Sequence, residues 1–214
     1  MWFRPSEDSP RIFENNFLDA LTRTPWFLVP MIYVPASAAL VWYGTTQLGI
    51  SYLAAAGLFV GGIIAWTFVE YWLHRTLFHW IPDGDWGEIM HFFVHGVHHD
   101  WPHDKYRLVM PPVVSATLFF LFLGFWTLVL GDLGWVFHAG FAFGYMVYDV
   151  IHYQVHHRKS PNDWVKNLKK HHIMHHFHED YAELRFGVST LMWDRVFGTL
   201  EPKEERPDAD AAAE

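Results

Sequence analysis

Four stretches of this chain are almost without charge, and they constrain its fold more than any other feature. Residues 26–43 and 113–130 contain no Asp, Glu, Lys or Arg. Residues 48–73 contain only Glu70, and residues 135–155 only Asp149, each late in its stretch. A helix crossing the hydrocarbon core needs about 20 mostly apolar residues. Buried helices of soluble proteins seldom run this long without a polar face. The pattern therefore predicts an all-α integral membrane protein with four transmembrane helices, the first bent by Pro30 and Pro35.

The connections order these spans. Residues 44–47 and 131–134 are short, lack Lys and Arg, and pair the spans into two hairpins. All fifteen Lys and Arg lie before the first span, between residues 74 and 112, or after residue 156. Positive charge stays on the cytoplasmic side, so both termini and the middle loop are expected there. The second span ends at His74 and the fourth at His152 and His156. These histidines then lie at one membrane face, under a cytosolic helical cap.

The flanking segments are less defined. Ile12, Phe13, Phe17, Leu18 and Leu21 suggest a short amphipathic helix, lying on the membrane or packed on the domain. Residues 88–99 read as helical, and Asn162 with Asp163 as an N-cap within a cytosolic helical region. Residues 187–198 read as irregular. No cleaved signal peptide is expected. Residues 1–200 read as a single domain. Residues 201–214, with six acids against Lys203 and Arg206, read as an acidic disordered tail.

The chain has no cysteine and sixteen histidines. Thiolate and iron–sulfur sites are excluded, and neutral imidazole becomes the candidate ligand. No basic, aromatic-interleaved patch suggests nucleic acid. Ten histidines fall into four groups. His95, His98 and His99 stand at i, i+3, i+4, as do His172, His175 and His176, so each trio shares a helix face. His152 and His156 stand at i, i+4. His74 and His79 stand at i, i+5, about 140° apart on an ideal helix. They converge only if the helix ends or bulges between them, or if they bind different metals. One tetrahedral ion takes about four ligands, so ten suit a dimetal centre with positions left for water or dioxygen.

Six histidines stay outside this set. His171 is an alternative to His172, His91 is read as packing, and His138 as structural at the far face. His103, His157 and His178 are read as flanking. Asp149, one turn before His152 and next to Tyr148, is a candidate to orient a ligand. Trp101 and Phe177 are candidate walls for a substrate channel. Lys105, Arg107, Lys169 and Lys170 suit anionic headgroups or an acidic partner protein.

Residues 69–79 (VEYWLHRTLFH), 95–99 (HGVHH), 105–112 (KYRLVMPP), Tyr148, Asp149, His152, His156 and residues 172–176 (HIMHH) resemble the fatty acid hydroxylase superfamily. The match is closest to the sphingolipid fatty acid 2-hydroxylases. Residues 9–13 and 24–26 resemble the start of that domain, and residues 186–190 and 193–199 its end. The histidine array is shared with sterol, alkane and carotenoid oxidases. The segment 105–112 and the spacing of His74 and His79 narrow the resemblance.

The resemblance implies a dioxygen-dependent monooxygenase acting at C2 of a long-chain fatty acid or of a sphingolipid acyl chain. It implies His74, His79, His95, His98, His99, His152, His156, His172, His175 and His176 as ligands of two iron ions, with zinc able to occupy the same site. Tyr148 and Asp149 would support them. Many eukaryotic relatives carry an N-terminal cytochrome b5-like domain. Here only 25 residues precede the first span, so a separate donor is expected, a cytochrome b5-like protein or a ferredoxin. The expected location is a bacterial inner membrane or the endoplasmic reticulum. The alternatives are a sterol- or carotenoid-type hydroxylase or desaturase, and a non-enzymatic membrane zinc-binding protein.

Overall fold

The computed structural model describes residues 6–202. The expected tail, from residue 203 on, lies outside them, as do residues 1–5. The described residues are helical and contain no β-strand, only an isolated bridge between Ser6 and Ser9. In chain order the helices are α1 (Asn16–Leu21), α2 (Leu28–Thr46), α3 (Tyr52–Trp72), α4 (Asp85–His91), α5 (Val97–Asp100), α6 (Pro112–Leu130), α7 (Leu133–His157), α8 (Asp163–Phe177) and α9 (Met192–Phe197). Two π-helical stretches, Leu73–Phe78 and Phe92–Gly96, extend α3 and join α4 to α5.

Among the described residues, three helices are long and apolar enough to cross a membrane: α2, α3 with its π extension, and α6. Only 22%, 17% and 6% of their most apolar windows are buried inside the protein. That much outward apolar surface belongs in lipid, not water. The fourth expected span, α7, falls outside this class for a structural reason. It runs through the middle, against α3, α2 and α6. More of its surface meets protein, including buried Tyr145, Asp149 and His152, so its composition is less uniformly apolar.

Glycines let α3 and α7 cross closely. A Cβ on Gly140 would stand 1.9 Å from the Phe59 carbonyl oxygen, and one on Gly62 would stand 2.1 Å from that of Phe137. Small residues at a crossing allow backbone approach and dispersion contact where lipid provides little driving force. Below the crossing, the Trp66 ring meets Phe141 at 5.2 Å and Tyr145 at 5.3 Å. The packing fixes α3 relative to α7, and with it the histidines at their ends.

The ends are pinned by buried charge. The Arg107 guanidinium contacts Asp19 and Asp104, each at 3.0 Å, and donates to the Pro10 carbonyl at 2.7 Å. Arg23 adds bonds to Asp19 and Ser9. This network ties α1 to the loop before α6. Phe17, Leu18 and Leu21 of α1 face outward, so α1 is anchored through Asp19 and presents its apolar side to the surroundings. Asn162 caps α8 by accepting from Trp164 and Val165. The segment 187–198 is not irregular throughout: α9 lies within it. The Trp193 indole donates to Thr67 and its ring packs on Phe68 at 4.9 Å. That tertiary contact stabilises a helix too short to stand alone.

Candidate metal centre

Ten imidazoles meet in two groups of five. His74, His79, His95, His99 and His175 form group one; His98, His152, His156, His172 and His176 form group two. Within each group the donor atoms all lie within 4.8 Å of one another. The trio His95, His98 and His99, which runs from the second π stretch into α5, and the trio on α8 each divide between the groups. On α8, His172 and His176 turn to group two and His175 to group one. His99 and His176 stack at 4.1 Å where the groups meet.

The π extension of α3 resolves the spacing of His74 and His79. A π turn brings i and i+5 together, and both residues enter group one, their rings 5.1 Å apart. The second π stretch precedes His98 and His99 and carries His95 at its last turn.

The donor set fits metal ions on three grounds. First, neighbouring Nε2 atoms stand 3.0–3.1 Å apart in group one and 2.9–3.1 Å in group two. With metal–nitrogen bonds of about 2.1 Å, ligands at right angles are about 3.0 Å apart and tetrahedral ones about 3.4 Å. The neighbouring spacings are therefore those of nitrogens that would share one ion. Second, the His74 Nδ1–H donates to the Phe186 carbonyl at 2.6 Å, and the His175 Nδ1–H to the Leu184 carbonyl at 2.7 Å. The proton on Nδ1 leaves the Nε2 lone pair facing the group. Third, the imidazoles resist protonation. Burial, then neighbouring imidazoles, lower His79 and His99 to about 3. Burial lowers His175 to about 4, and the same causes hold His95, His98 and His172 well below the usual range. Neutral imidazole is the metal-binding form.

The Leu184–Phe186 strap is itself held. Asp194, fully buried, accepts from the Phe186 and Gly187 amides at 2.9 and 2.8 Å and from the Thr199 hydroxyl at 2.8 Å. Glu70 accepts from the amides of Val188 and Ser189, at 2.9 and 2.8 Å, and from the Ser189 hydroxyl. Arg185 between the two carbonyls has φ 60° and pairs with Glu201 through both carboxylate oxygens. None of these holding roles was readable in the sequence. They act through backbone amides and carbonyls, which carry no side-chain identity.

An apolar cavity of about 50 Å³ lies next to both groups, separated from them by its lining side chains. Phe78 and Tyr148 line it; Phe78 stacks on His95 at 5.0 Å and Tyr148 on His152 at 5.6 Å. It runs between α3, α6 and α7 past Trp66, Phe122 and Ala142 to His138. Trp101 and Phe177, the expected walls, do not line it, and Phe177 is exposed. His138 is buried against Phe119 at 4.5 Å and faces this cavity.

Asp149 and His152 are both buried, and neither Asp149 Oδ2 nor His152 Nδ1 has a hydrogen-bond partner among the described residues. His171 stays out of both groups, its Nε2 3.4 Å from Asp194. His91, His103, His157 and His178 also stay out.

Apolar helices carrying two five-imidazole groups at their ends define a membrane protein of the polyhistidine metalloprotein class. The model of the family described as "Fatty acid hydroxylase" matches residues 59–199, and the chain belongs to that family. It is 42% identical over 207 residues to the ceramide very long chain fatty acid hydroxylase scs7 of Schizosaccharomyces pombe, covering 94% of this chain and 57% of that protein. It is 39% identical to the fatty acid 2-hydroxylase of Mus musculus, covering 92% and 58%. It is 38% identical to the dihydroceramide fatty acyl 2-hydroxylase FAH1 of Arabidopsis thaliana, covering 91% and 81%. The chain thus spans little more than half the length of the first two. A solved structure described as full-length scs7p with only its hydroxylase domain visible superposes with TM-score 0.84 at 37% identity, covering 96% of this chain and 76% of that one.

Proposed function

We propose that this chain is a membrane dimetal monooxygenase that hydroxylates C2 of long-chain fatty acids or of the acyl chain of sphingolipids. The observation that carries the reading is an apolar cavity whose wall residues Phe78 and Tyr148 stack on His95 of group one and His152 of group two. The printed activities of the relatives, on fatty acids, ceramide and dihydroceramide, agree with it.

The ligands are the ten grouped histidines. A bound iron pair supplies the redox chemistry that dioxygen needs to attack an inert C–H bond; zinc fits the same nitrogens but has no redox chemistry. The residues of the chain do the rest. The carbonyls of Leu184 and Phe186 fix two imidazole tautomers. Phe78 and Tyr148 wall the cavity mouth and keep the substrate chain against both groups. The apolar lining of α3, α6 and α7 takes the hydrocarbon and excludes water. A polar acyl end held at headgroup depth sets C2, rather than a mid-chain carbon, beside the imidazoles.

Four helices cross the membrane in this reading, α2, α3, α6 and α7, with the histidine end and the Lys- and Arg-rich segments on the cytoplasmic side. Each turnover takes one dioxygen, two electrons and two protons, and releases water with the hydroxylated chain. The electrons come from a separate protein, and Lys105, Lys169 and Lys170 suit an acidic donor surface.

Expression in a host without 2-hydroxy lipids tests this. Mass spectrometry of total acyl chains should show 2-hydroxy acids that vanish in His175→Ala. Unchanged lipids from a folded, iron-loaded protein with a working donor would sink the reading.

A further inference from the structure

The two groups have the same ligand type and number, but the protein holds them differently. In group one, two of five imidazoles donate through Nδ1 to carbonyls of one short strap, Leu184 and Phe186. In group two, His156 alone has a backbone acceptor, the Pro102 carbonyl, while the Nδ1 atoms of His152, His172 and His176 are buried with no partner among the described residues. A ligating histidine whose second nitrogen is held has its tautomer and orientation preset and its basicity raised. Losing such a partner commonly costs 10–100-fold in metal affinity.

The backbone supports run the other way. Group two draws His152 and His156 from one turn of α7, and His172 and His176 from one turn of α8. Group one takes His74 and His79 from a π turn, a less regular support. Without the strap, group one would be the looser set.

We infer that group one is the tighter of the two metal sites, and that Asp194 is the positioning residue that makes it so. Asp194 touches no ligand of either group. It grips the amides of Phe186 and Gly187, and the carbonyl of Phe186 receives His74. A side chain on Gly187 would stand 2.6 Å from the Asp194 carboxylate and 2.1 Å from the Thr190 carbonyl, so the strap has one arrangement here. Group two loads second and loses its metal first. This rests on the dimetal reading above, but not on the substrate or the reaction.

The test uses the full chain in detergent, stripped with a chelator at neutral pH. Co²⁺ is titrated in against a competing chromophoric chelator, and bound metal is counted by elemental analysis. The wild type should take two equivalents in two steps at least tenfold apart. His175→Ala should remove the tighter step and His156→Ala the weaker. In the His156→Ala background, Asp194→Asn should weaken the remaining site by about 10–100-fold. In the His175→Ala background it should change nothing, which a merely structural role would not produce.

Two equivalents bound in one step of equal affinity would overturn the inference and leave the dimetal reading standing. So would loss of the tighter step in His156→Ala, or equal weakening by Asp194→Asn in both backgrounds. Fewer than two equivalents in the wild type would overturn both. If Asp194→Asn does not fold, the wild-type titration and the two histidine variants still decide the order of the sites.

Discussion

Set side by side, the two imidazole groups are equal in chemistry and unequal in support. Each has five histidines, and each receives residues from both α5 and α8. Group one is backed by a strap of irregular chain near the C-terminal end, held by Asp194 and Glu70. Group two is backed by regular turns of α7 and α8, with three ring nitrogens that have no partner among the described residues. Ligand count alone would predict two equivalent sites. Orientation is set by what holds the far nitrogen of each ring, and there the groups part.

The strongest way to break the comparison is to remove what both groups share. Gly140→Leu forces a side chain into the Phe59 backbone at the crossing of α3 and α7. Group one has two histidines at the end of α3, and group two has two on α7, so both lose their geometry together. Overpacking at this contact should cost about 3 kcal/mol. Both metal equivalents should be lost, read by elemental analysis of detergent-purified protein, and melting should occur at lower temperature.

Single ligand removal separates the groups. His79→Ala and His152→Ala should each leave one equivalent of metal and no detectable 2-hydroxy product, since the cavity walls Phe78 and Tyr148 stack on one group each. Retention of more than about a tenth of product in either would mean that one metal suffices.

Acid sharpens the common part. In the metal-free protein His79 and His99 titrate near 3 and His175 near 4, chiefly through burial. The unfolded value is about 6.5. Between those values the unfolded chain binds protons that the folded chain refuses. Stability is therefore complete above about pH 6.5 and is lost as pH falls toward 4 and then 3. Denaturant melts of metal-free protein at pH 7.5, 6 and 4.5 should show a steady fall. Bound metal should shift that loss to lower pH, because protons and metal compete for the same nitrogens.

The smallest effect should spare both groups. Ala142→Phe fills the middle of the cavity, away from the ten grouped histidines. Metal content should stay at two equivalents, while product shifts to shorter chains by about tenfold in relative rate. A changed metal content would mean that cavity and metal groups are not separable.

Much of the fold was legible because its signals are local. An uncharged run long enough to cross a bilayer needs no partner to be recognised, so the helices at 28–46, 52–72, 112–130 and 133–157 were foreseen to within a few residues. Helix α9 was missed because Trp193 on Thr67 and Phe68 stabilises it from 126 positions away. The channel walls were misplaced for the same reason. Trp101 and Phe177 neighbour the ligands in sequence, whereas the cavity is lined by Phe78, Phe122 and Ala142 from three different elements.

The ten grouped histidines follow from sequence alone, since spacings of three and four put rings on one helix face wherever the helix sits. The sequence also required the helix to end or bulge between His74 and His79 if the two were to meet. Only the tertiary structure decided how the ten divide. His175 faces group one while His172 and His176 face group two, because α8 lies between the end of α3 and the end of α7. It also decided which group is braced: the carbonyl that holds His74 lies 112 positions along the chain. A carbonyl has no side-chain identity, so no residue pattern could announce it.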